Sequence, residues 1–543
     1  TKRVRLQGHV QGVGFRPFVY RLATRHGIVG HVQNQLGEVE VVAQGSAEAL
    51  ERFIDGLVAD APPLASPSVL AIDSVSKLDH DSFRIIDSLA DTDAQIFVPP
   101  DYFMCDECKA ELQNASDRRY AYPFINCTQC GPRYTLIEAL PYDRENTSMA
   151  GFPLCPECEA EYLDPGDRRF HAEPVACAKC GPQLHFEEPG CETVTANNAA
   201  LGRAVAAIRD GSIVAVKGIG GYHLVCDALN DEAVATLRER KRRPDKPLAV
   251  MFPVSGTDGL DIARGHVSFT YEEAALASGP IRPIVLARRK ASCALAGNVA
   301  PGLDEVGVFL PYSPLHQLLL DALGGPVVAT SGNISGEPVL TDNGEAARRL
   351  RPVADAFLQH NRPIVRPADD PVYRRIAGTM RPLRIGRGCA PRELELPYSQ
   401  REPVLAVGGH MKGTVALSWE NRVVVSPHIG EMDSPRSLDV FEQVASDLQE
   451  LYGVRASRIV CDAHPGYTTH KWAQRQGLPV DTVWHHEAHA SAAAAELDRP
   501  GDWLMFTWDG VGLGRDGTLW GGEALLGRPG CWVRRASLRT FRL

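Results

Sequence analysis

No run of 18 apolar residues occurs in the 543-residue chain, which excludes an ordinary membrane-spanning helix. Nor is there an excess of positive charge. With 57 Lys and Arg against 67 Asp and Glu, the net charge of −10 provides no basic field for nucleic acid or an anionic membrane. Neither is expected as a partner. The first residues read as a strand rather than a signal peptide, so the expected location is the cytoplasm. Cysteine is present, 14 residues of it, and in a cytosolic chain that points to metal or redox chemistry rather than disulfides. The composition, 44% hydrophobic and 23% charged, is that of a globular protein. At about 150 residues per domain, the length suggests three or four domains.

Near the N-terminus, "HVQGVGFRPFVY" joins a strand to a helix that has Pro17 in its first turn and Gly27 at its end. The strand and helix patterns that follow give the order βαββαβ, the split ferredoxin-like sandwich. Successive amides at a helix N-terminus favour an anion. Gly12 and Gly14 let the backbone approach it, and Arg16 can clamp two of its oxygens.

"VQGVGFRP" followed by "GHVQN" resembles the acylphosphatases. The resemblance implies that Arg16 and the amides of Gly12, Val13, Gly14, Phe15 and Arg16 bind phosphate, and that Asn34 orients the attacking water.

The next segment repeats itself with a period of 50 residues: "CDECKAELQNASDRRYAYPFINCTQCGP" returns as "CPECEAEYLDPGDRRFHAEPVACAKCGP". Cys105, Cys108, Cys127 and Cys130 have the spacing C-x2-C-x18-C-x2-C, and Cys155, Cys158, Cys177 and Cys180 repeat it. Two such knuckles complete a four-sulfur shell for Zn²⁺, with no open position, so both sites are expected to be structural. Redox CxxC pairs would not account for the doubled 18-residue gap. A nucleic-acid-binding finger is the other alternative, but the "DRR" pairs alternate with acidic residues and form no basic stripe. His171 reads as a surface or substrate-facing residue, since both quartets are full.

From about residue 195 the texture is α/β. "RERKRRPDKPLAV" packs charges before an apolar strand, with prolines that forbid a simple helix. "VVATSGNISGEP" places Ser331, Gly332 and Asn333 after another strand, in a loop suited to phosphate or ribose. The stretch to about residue 390 resembles the YrdC-like domain, which implies an ATP site where a carbamoyl adenylate forms. The matching residues are Lys241, Arg243 and Pro244 in the "KxRP" element and Ser331 to Asn333 in "SxN". Arg366 is an expected further phosphate contact, and Asp369 or Asp370 an expected Mg²⁺ partner. Lys217 and "GIGGYH" stand where tRNA-modifying relatives have a threonine-rich motif, which weakens the case for a threonine substrate; Lys217 is counted with the nucleotide site.

"VWHHEAH" puts His485 and His489 four apart, on one face of a helix, where they can grip one divalent metal. His486 points elsewhere. Asp509, in "TWDGVGLGRDGTLWGGE", is the expected oxygen ligand, within a glycine-rich loop also suited to phosphates. This part resembles the TsaD-like domain of actin-like ATPase fold.

The expected architecture is therefore multidomain α/β and α+β: a ferredoxin-like acylphosphatase domain at 1–90 and a tandem zinc-finger module at 100–190, followed by a YrdC-like domain at 195–390 and part of a TsaD-like domain at 401–543. That order resembles the HypF carbamoyltransferases of [NiFe]-hydrogenase maturation. The family's last domain runs about twice as far, so a C-terminally truncated chain is expected. The resemblance implies carbamoyl phosphate and ATP with Mg²⁺ as substrates, two structural zinc ions, a further divalent metal, and the C-terminal cysteine of HypE as acceptor. A tRNA threonylcarbamoyl-type transferase is the alternative. The other six cysteines (Cys191, Cys226, Cys293, Cys389, Cys461 and Cys531) have no paired spacing and read as buried small hydrophobes.

Overall fold

Alternating apolar residues in "KRVRLQGH" and its successors build a five-stranded sheet from β1 (Lys2–His9), β2 (Val29–Gln35), β3 (Glu38–Gln44), β4 (Ser66–Ser74) and β5 (Phe83–Ile85). The computed structural model describes all residues except 11–12, 36–37, 63–64, 78–80, 87–96, 141, 335, 498, 500 and 540–543. The strand order is β4-β1-β3-β2-β5, in which the first four form the antiparallel split sandwich and β5 adds a parallel edge beside β2. Helices α1 (Phe15–Arg25) and α2 (Ala47–Ala59) supply the other half of the core. Ser46 caps α2 by accepting the Ala49 amide at 3.2 Å, and Leu50, Phe53 and Leu57 bury one stripe of it. Phe53 is fully buried, which contributes roughly 1.5–3 kcal/mol.

By internal contacts the chain divides into two units: Thr1–Ser335 with Val339–Pro391, and Gly336–Pro338 with Arg392–Leu543. In the first unit, the four-cysteine repeats are not beads on a string. Phe103, Met104, Cys108 and Phe124 share one apolar core with Val214, Val216, Phe309 and Leu358 of the α/β part. Strand Leu184–Glu187, just after the second repeat, pairs antiparallel with Ala356–His360 at the edge of an eleven-stranded sheet. Within that sheet, Val214–Lys217, Tyr222–Asp227 and Val327–Ser331 run side by side, each antiparallel to the next.

The charge run departs from the sequence reading. Helix Asp231–Lys241 continues through "RERK" and ends at Arg242, whose φ of 51° is left-handed, before the prolines begin. Asn230 caps its start by accepting the amides of Glu232 and Ala233.

The second unit has a six-stranded sheet with helices Pro435–Leu451, Thr468–Arg475 and His485–Ala495, and a separate three-stranded sheet of Trp503–Leu513, Leu519–Arg528 and Cys531–Ser537. Here the glycine-rich loop expected around Asp509 is instead a β-hairpin. Asp509 lies inside strand Trp503–Leu513, and the turn falls at residues 514–518. No helix among the described residues is long and apolar enough to cross a membrane.

Candidate functional site

Cys105 and Cys155 are the N-caps of helices α3 (Asp106–Gln113) and α4 (Pro156–Leu163), and Cys108 and Cys158 follow in the first turn, where the helix dipole favours a thiolate. In the first quartet, Sγ–Sγ separations are 3.6 Å (Cys105–Cys127), 3.7 Å (Cys127–Cys130) and 3.6 Å (Cys108–Cys130). In the second they are 3.7 Å (Cys155–Cys177), 3.8 Å (Cys177–Cys180) and 3.6 Å (Cys158–Cys180). A tetrahedron with Zn–S bonds of about 2.3 Å has edges of about 3.8 Å, so both quartets fit zinc with no position left open.

The "DRR" pairs, which form no basic stripe in the sequence, cross between the repeats. Arg118 and Arg119 belong to the first repeat, yet their guanidinium groups lie 3.2 and 3.5 Å from Cys158 Sγ and both pair with Glu161. Arg168 of the second repeat donates to Cys108 Sγ at 3.3 Å, and Arg168 and Arg169 both pair with Glu111. The backbone contacts are reciprocal as well: Arg119 Nε donates to the Ala176 carbonyl and Arg169 Nε to that of Asn126. Every partner is displaced by the 50-residue period of the repeat. Four thiolates on Zn²⁺ carry a net charge of about −2, and each repeat supplies the counter-charge for the other.

In the expected phosphate loop, Gly12 lies outside the described residues, and Val13 is buried. Gly14 caps α1 at φ 72°, with Phe15 buried and Arg16 half-buried just after it. A Cβ on Gly14 would stand 2.8 Å from the Thr128 side chain, so the first finger presses directly on this loop. Asn34, on β2, has its side-chain oxygen buried with no partner among the described residues, an acceptor suited to a water molecule.

Some 90 residues of sequence separate the two halves of the expected nucleotide site, and the fold joins them. Lys241 Nζ donates to the carbonyls of Ser331 (2.7 Å) and Asn333 (3.0 Å) and to Asn333 Oδ1 (2.9 Å), which also accepts the Ser331 hydroxyl at 2.9 Å. Gly332 is packed so that a Cβ would meet the Tyr222 backbone at 2.8 Å. Burial, and then Arg243, push the Lys241 ammonium down to about 7. Arg243 Nη2 donates to the Pro247 carbonyl at 3.0 Å, while its Nε is buried and unpartnered among the described residues.

Three groups of expected residues have definite surroundings. Arg366 is 2% exposed, donates to the Tyr134 and Ile137 carbonyls and lies over the Tyr134 ring, contacts that tie it to the finger segment. Asp370 pairs with His223 at 2.8 Å and Arg387 at 3.0 Å, and Asp369 with Arg384 at 2.7 Å. Among the six remaining cysteines, Cys226, Cys389 and Cys461 are buried, but Cys293 is half-buried and Cys191 and Cys531 are exposed. Lys217 is buried and holds Asn343 Oδ1 at 2.6 Å and the carbonyls of His360 (3.3 Å) and Arg362 (3.1 Å), contacts distinct from those of Lys241. His171 is exposed, its ring against Tyr162 and Phe170.

In the second unit, the helix starting at His485 turns His485 and His489 to one side. Asp509 Oδ2 lies 2.8 Å from His485 Nε2 and 3.3 Å from His489 Nε2, and the three ligand atoms all fall within 4.8 Å of one another. Burial opposes ionisation of Asp509, yet the Gly510 amide and the two histidines hold its carboxyl below the ordinary value. Three N and O donors with an open side fit a divalent ion that keeps room for a further ligand. His486 is buried and its Nε2 meets the Gly521 carbonyl at 2.7 Å. Sequence reasoning missed Asp462. It accepts from His485 Nδ1 at 2.6 Å, which fixes the tautomer that leaves Nε2 as the ligand atom. "VCDAHPGY" offered a strand-end acid as its only signal. A cavity of about 220 Å³ lies beside the cluster, lined by His489, Met505, Phe506, Trp508 and Asp509 among others.

Comparison with known proteins follows the same division. Residues 2–85 match the Acylphosphatase family, and residues 104–137 and 154–187 the HypF finger. Residues 206–386 match the Sua5_yciO_yrdC family, described as "Telomere recombination". Residues 399–496 match the HypF Kae1-like domain, and 505–543 the second subdomain of the carbamoyltransferase Kae1-like domain. These parts define a multidomain carbamoyltransferase with an acylphosphatase domain at its front. The chain is 47% identical to the carbamoyltransferase HypF of Synechocystis sp. over all of its own length and 70% of the relative's, and 44% identical to HypF2 of Cupriavidus necator over 69% of that protein. A crystal structure of full-length HypF in the phosphate- and nucleotide-bound form superposes with a TM-score of 0.89 at 38% identity, covering 98% of this chain and 69% of that one. The chain belongs to the HypF carbamoyltransferase family.

Proposed function

We propose that the chain hydrolyses carbamoyl phosphate to carbamate at the Arg16 loop, adenylates the carbamate with ATP in the YrdC-like domain, and passes the carbamoyl group to the C-terminal cysteine thiol of HypE. Cyanide-ligand synthesis for [NiFe]-hydrogenase is the process this serves. The observation that carries the reading is physical continuity: the Arg16 loop, the fingers and the Lys241–Ser331–Asn333 cluster belong to one unit, with the first finger packed against Gly14.

In this reading Arg16 and the loop amides hold the phosphoryl oxygens, and Asn34 holds the attacking water through its unpartnered oxygen. The freed carbamate decomposes readily in water, so an enclosed route protects it. Lys241, with Arg243, neutralises the triphosphate while a carbamate oxygen attacks the α-phosphate and pyrophosphate departs. Lys217 is buried beside this domain's strands, and burial followed by Arg362 pushes it down to about 7. In the second unit His485, His489 and Asp509 would hold the divalent metal, oriented by Asp462; such an ion supplies Lewis acidity toward a carbonyl oxygen.

The test is carbamoyl-phosphate-dependent exchange of labelled pyrophosphate into ATP. Arg16→Ala should lower exchange, and free carbamate should partly restore it. Exchange that needs threonine and bicarbonate instead would identify a tRNA threonylcarbamoyl-type enzyme and overturn the reading.

A further inference from the structure

A recess of about 20 Å³ lies on the seam between the finger module and the α/β sheet, room for the centres of one or two water-sized groups. Its apolar wall comes from the finger side, with Met104, Phe124 and Ile125, and its polar wall from Lys217, His360 and Arg362. Arg362 is 5% exposed, yet its guanidinium has no hydrogen-bond or carboxylate partner among the described residues; Nε is an orphan and the group faces the Phe124 ring at 5.2 Å. His360 is 1% exposed and leaves Nδ1 unpartnered, while its Nε2 meets the Gly218 carbonyl at 3.1 Å. Lys217 Nζ sits on the carbonyls of these same two residues.

Buried guanidinium groups are almost always paired, because water no longer solvates them and an unpaired charge is costly. Here a cation, a basic amine and an imidazole share one small recess; the Asp101 carboxylate acts on Arg362 through its charge, but no carboxylate of the described residues forms an ion pair with the guanidinium. We infer that this recess is a binding site for a small planar oxyanion of the carboxylate type, such as carbamate or bicarbonate. The planar fork of Arg362 matches two oxygens of one such group. His360 Nδ1 is left for the third substituent, an amine or hydroxyl. The finger side adds an apolar wall opposite these polar groups. That the natural ion is carbamate rests on the proposed function; that a planar oxyanion binds does not.

The experiment uses the whole zinc-loaded chain, with bicarbonate and formate as planar probes and inorganic phosphate as a tetrahedral one. Binding is read from ¹³C line broadening of labelled bicarbonate or formate and from the thermal midpoint. Arg362→Gln should weaken bicarbonate binding by about 10- to 100-fold, the loss of one charged, forked pair. Arg362→Lys should restore part of it. Two zinc ions per chain in each variant show that the fold is intact, and Arg362→Met, which removes the buried charge, guards against misfolding. Folded Gln and Met variants that bind bicarbonate as tightly as the parent would overturn the site. So would a parent that binds no planar probe, or one that binds phosphate equally well. Pyrophosphate exchange in the same preparations separates the two ideas. Loss of exchange in the parent with Arg362-dependent bicarbonate binding refutes the proposed function alone, whereas normal exchange with Arg362-independent binding refutes the recess alone.

Discussion

Arg119→Met should loosen zinc in the second finger, not in the first, whose sequence contains the arginine. Arg119 is 2% exposed and its guanidinium contacts Glu161, Cys158 Sγ at 3.5 Å and the Ala176 carbonyl at 2.9 Å, all on the second repeat. Methionine keeps most of the bulk and removes the charge. The loss is a buried charge-assisted network, partly offset because Glu161 retains Arg118 and is 21% exposed. That places the cost at about 2–3 kcal/mol, or roughly 30- to 150-fold in zinc affinity of the second quartet. Competition with a chromogenic chelator measures the total release. Alkylation of freed thiols followed by peptide mass mapping assigns it: Cys155, Cys158, Cys177 and Cys180 should label first. Arg169→Met should mirror the result on Cys105, Cys108, Cys127 and Cys130. If Arg119→Met released the first quartet before the second, the crossed counter-charge argument would fail.

Three further outcomes are expected. Asp462→Asn frees the ring of His485 and should weaken divalent-metal binding at His485, His489 and Asp509 by about 10- to 100-fold, measured by calorimetric titration. Gly14→Ala forces a side chain into φ 72° and against Thr128, so acyl phosphate hydrolysis should fall sharply while the thermal midpoint drops by the equivalent of about 1–3 kcal/mol. Glu173 is pushed from 4.5 up to about 7, chiefly by burial, although the Tyr162 hydroxyl donates to it at 2.7 Å. The folded state then binds the proton more tightly than the unfolded one, so stability falls as pH rises from about 4.5 to 7 and is level above that. Glu173→Gln should flatten this slope and gain roughly 2–3 kcal/mol at pH 8 in denaturant titrations; an unchanged slope would show that Glu173 is not the group responsible.

Much of the site was legible because its signals are local. Spacings of two and 18 residues between cysteines set which thiols can meet, and the two quartets follow from chain geometry within each repeat. The i, i+4 histidines needed only a helix, and the Gly14–Arg16 turn only a strand entering one. The helix through "RERK" was obscured because prolines stand just beyond it, and the left-handed Arg242 ends it before they matter. Asp509 stands beside both histidines, in a local setting other than the one expected: a strand pairs through those glycines where a loop was read.

The sequence by itself determined the order of the parts, the two sulfur tetrahedra and the face shared by His485 and His489, since each depends on residues a turn or a knuckle apart. Only the tertiary structure decided where the long charged side chains went. Arg118 and Arg119 crossed to the other finger, Arg366 closed a seam, Asp370 was claimed by His223 and Arg387, and the Arg362 guanidinium was buried with no hydrogen-bond partner among the described residues. A guanidinium or carboxylate reaches several ångströms and pairs with whichever opposite charge or open carbonyl is desolvated beside it. That neighbour is chosen by packing between segments tens to hundreds of residues apart, which local pattern does not encode.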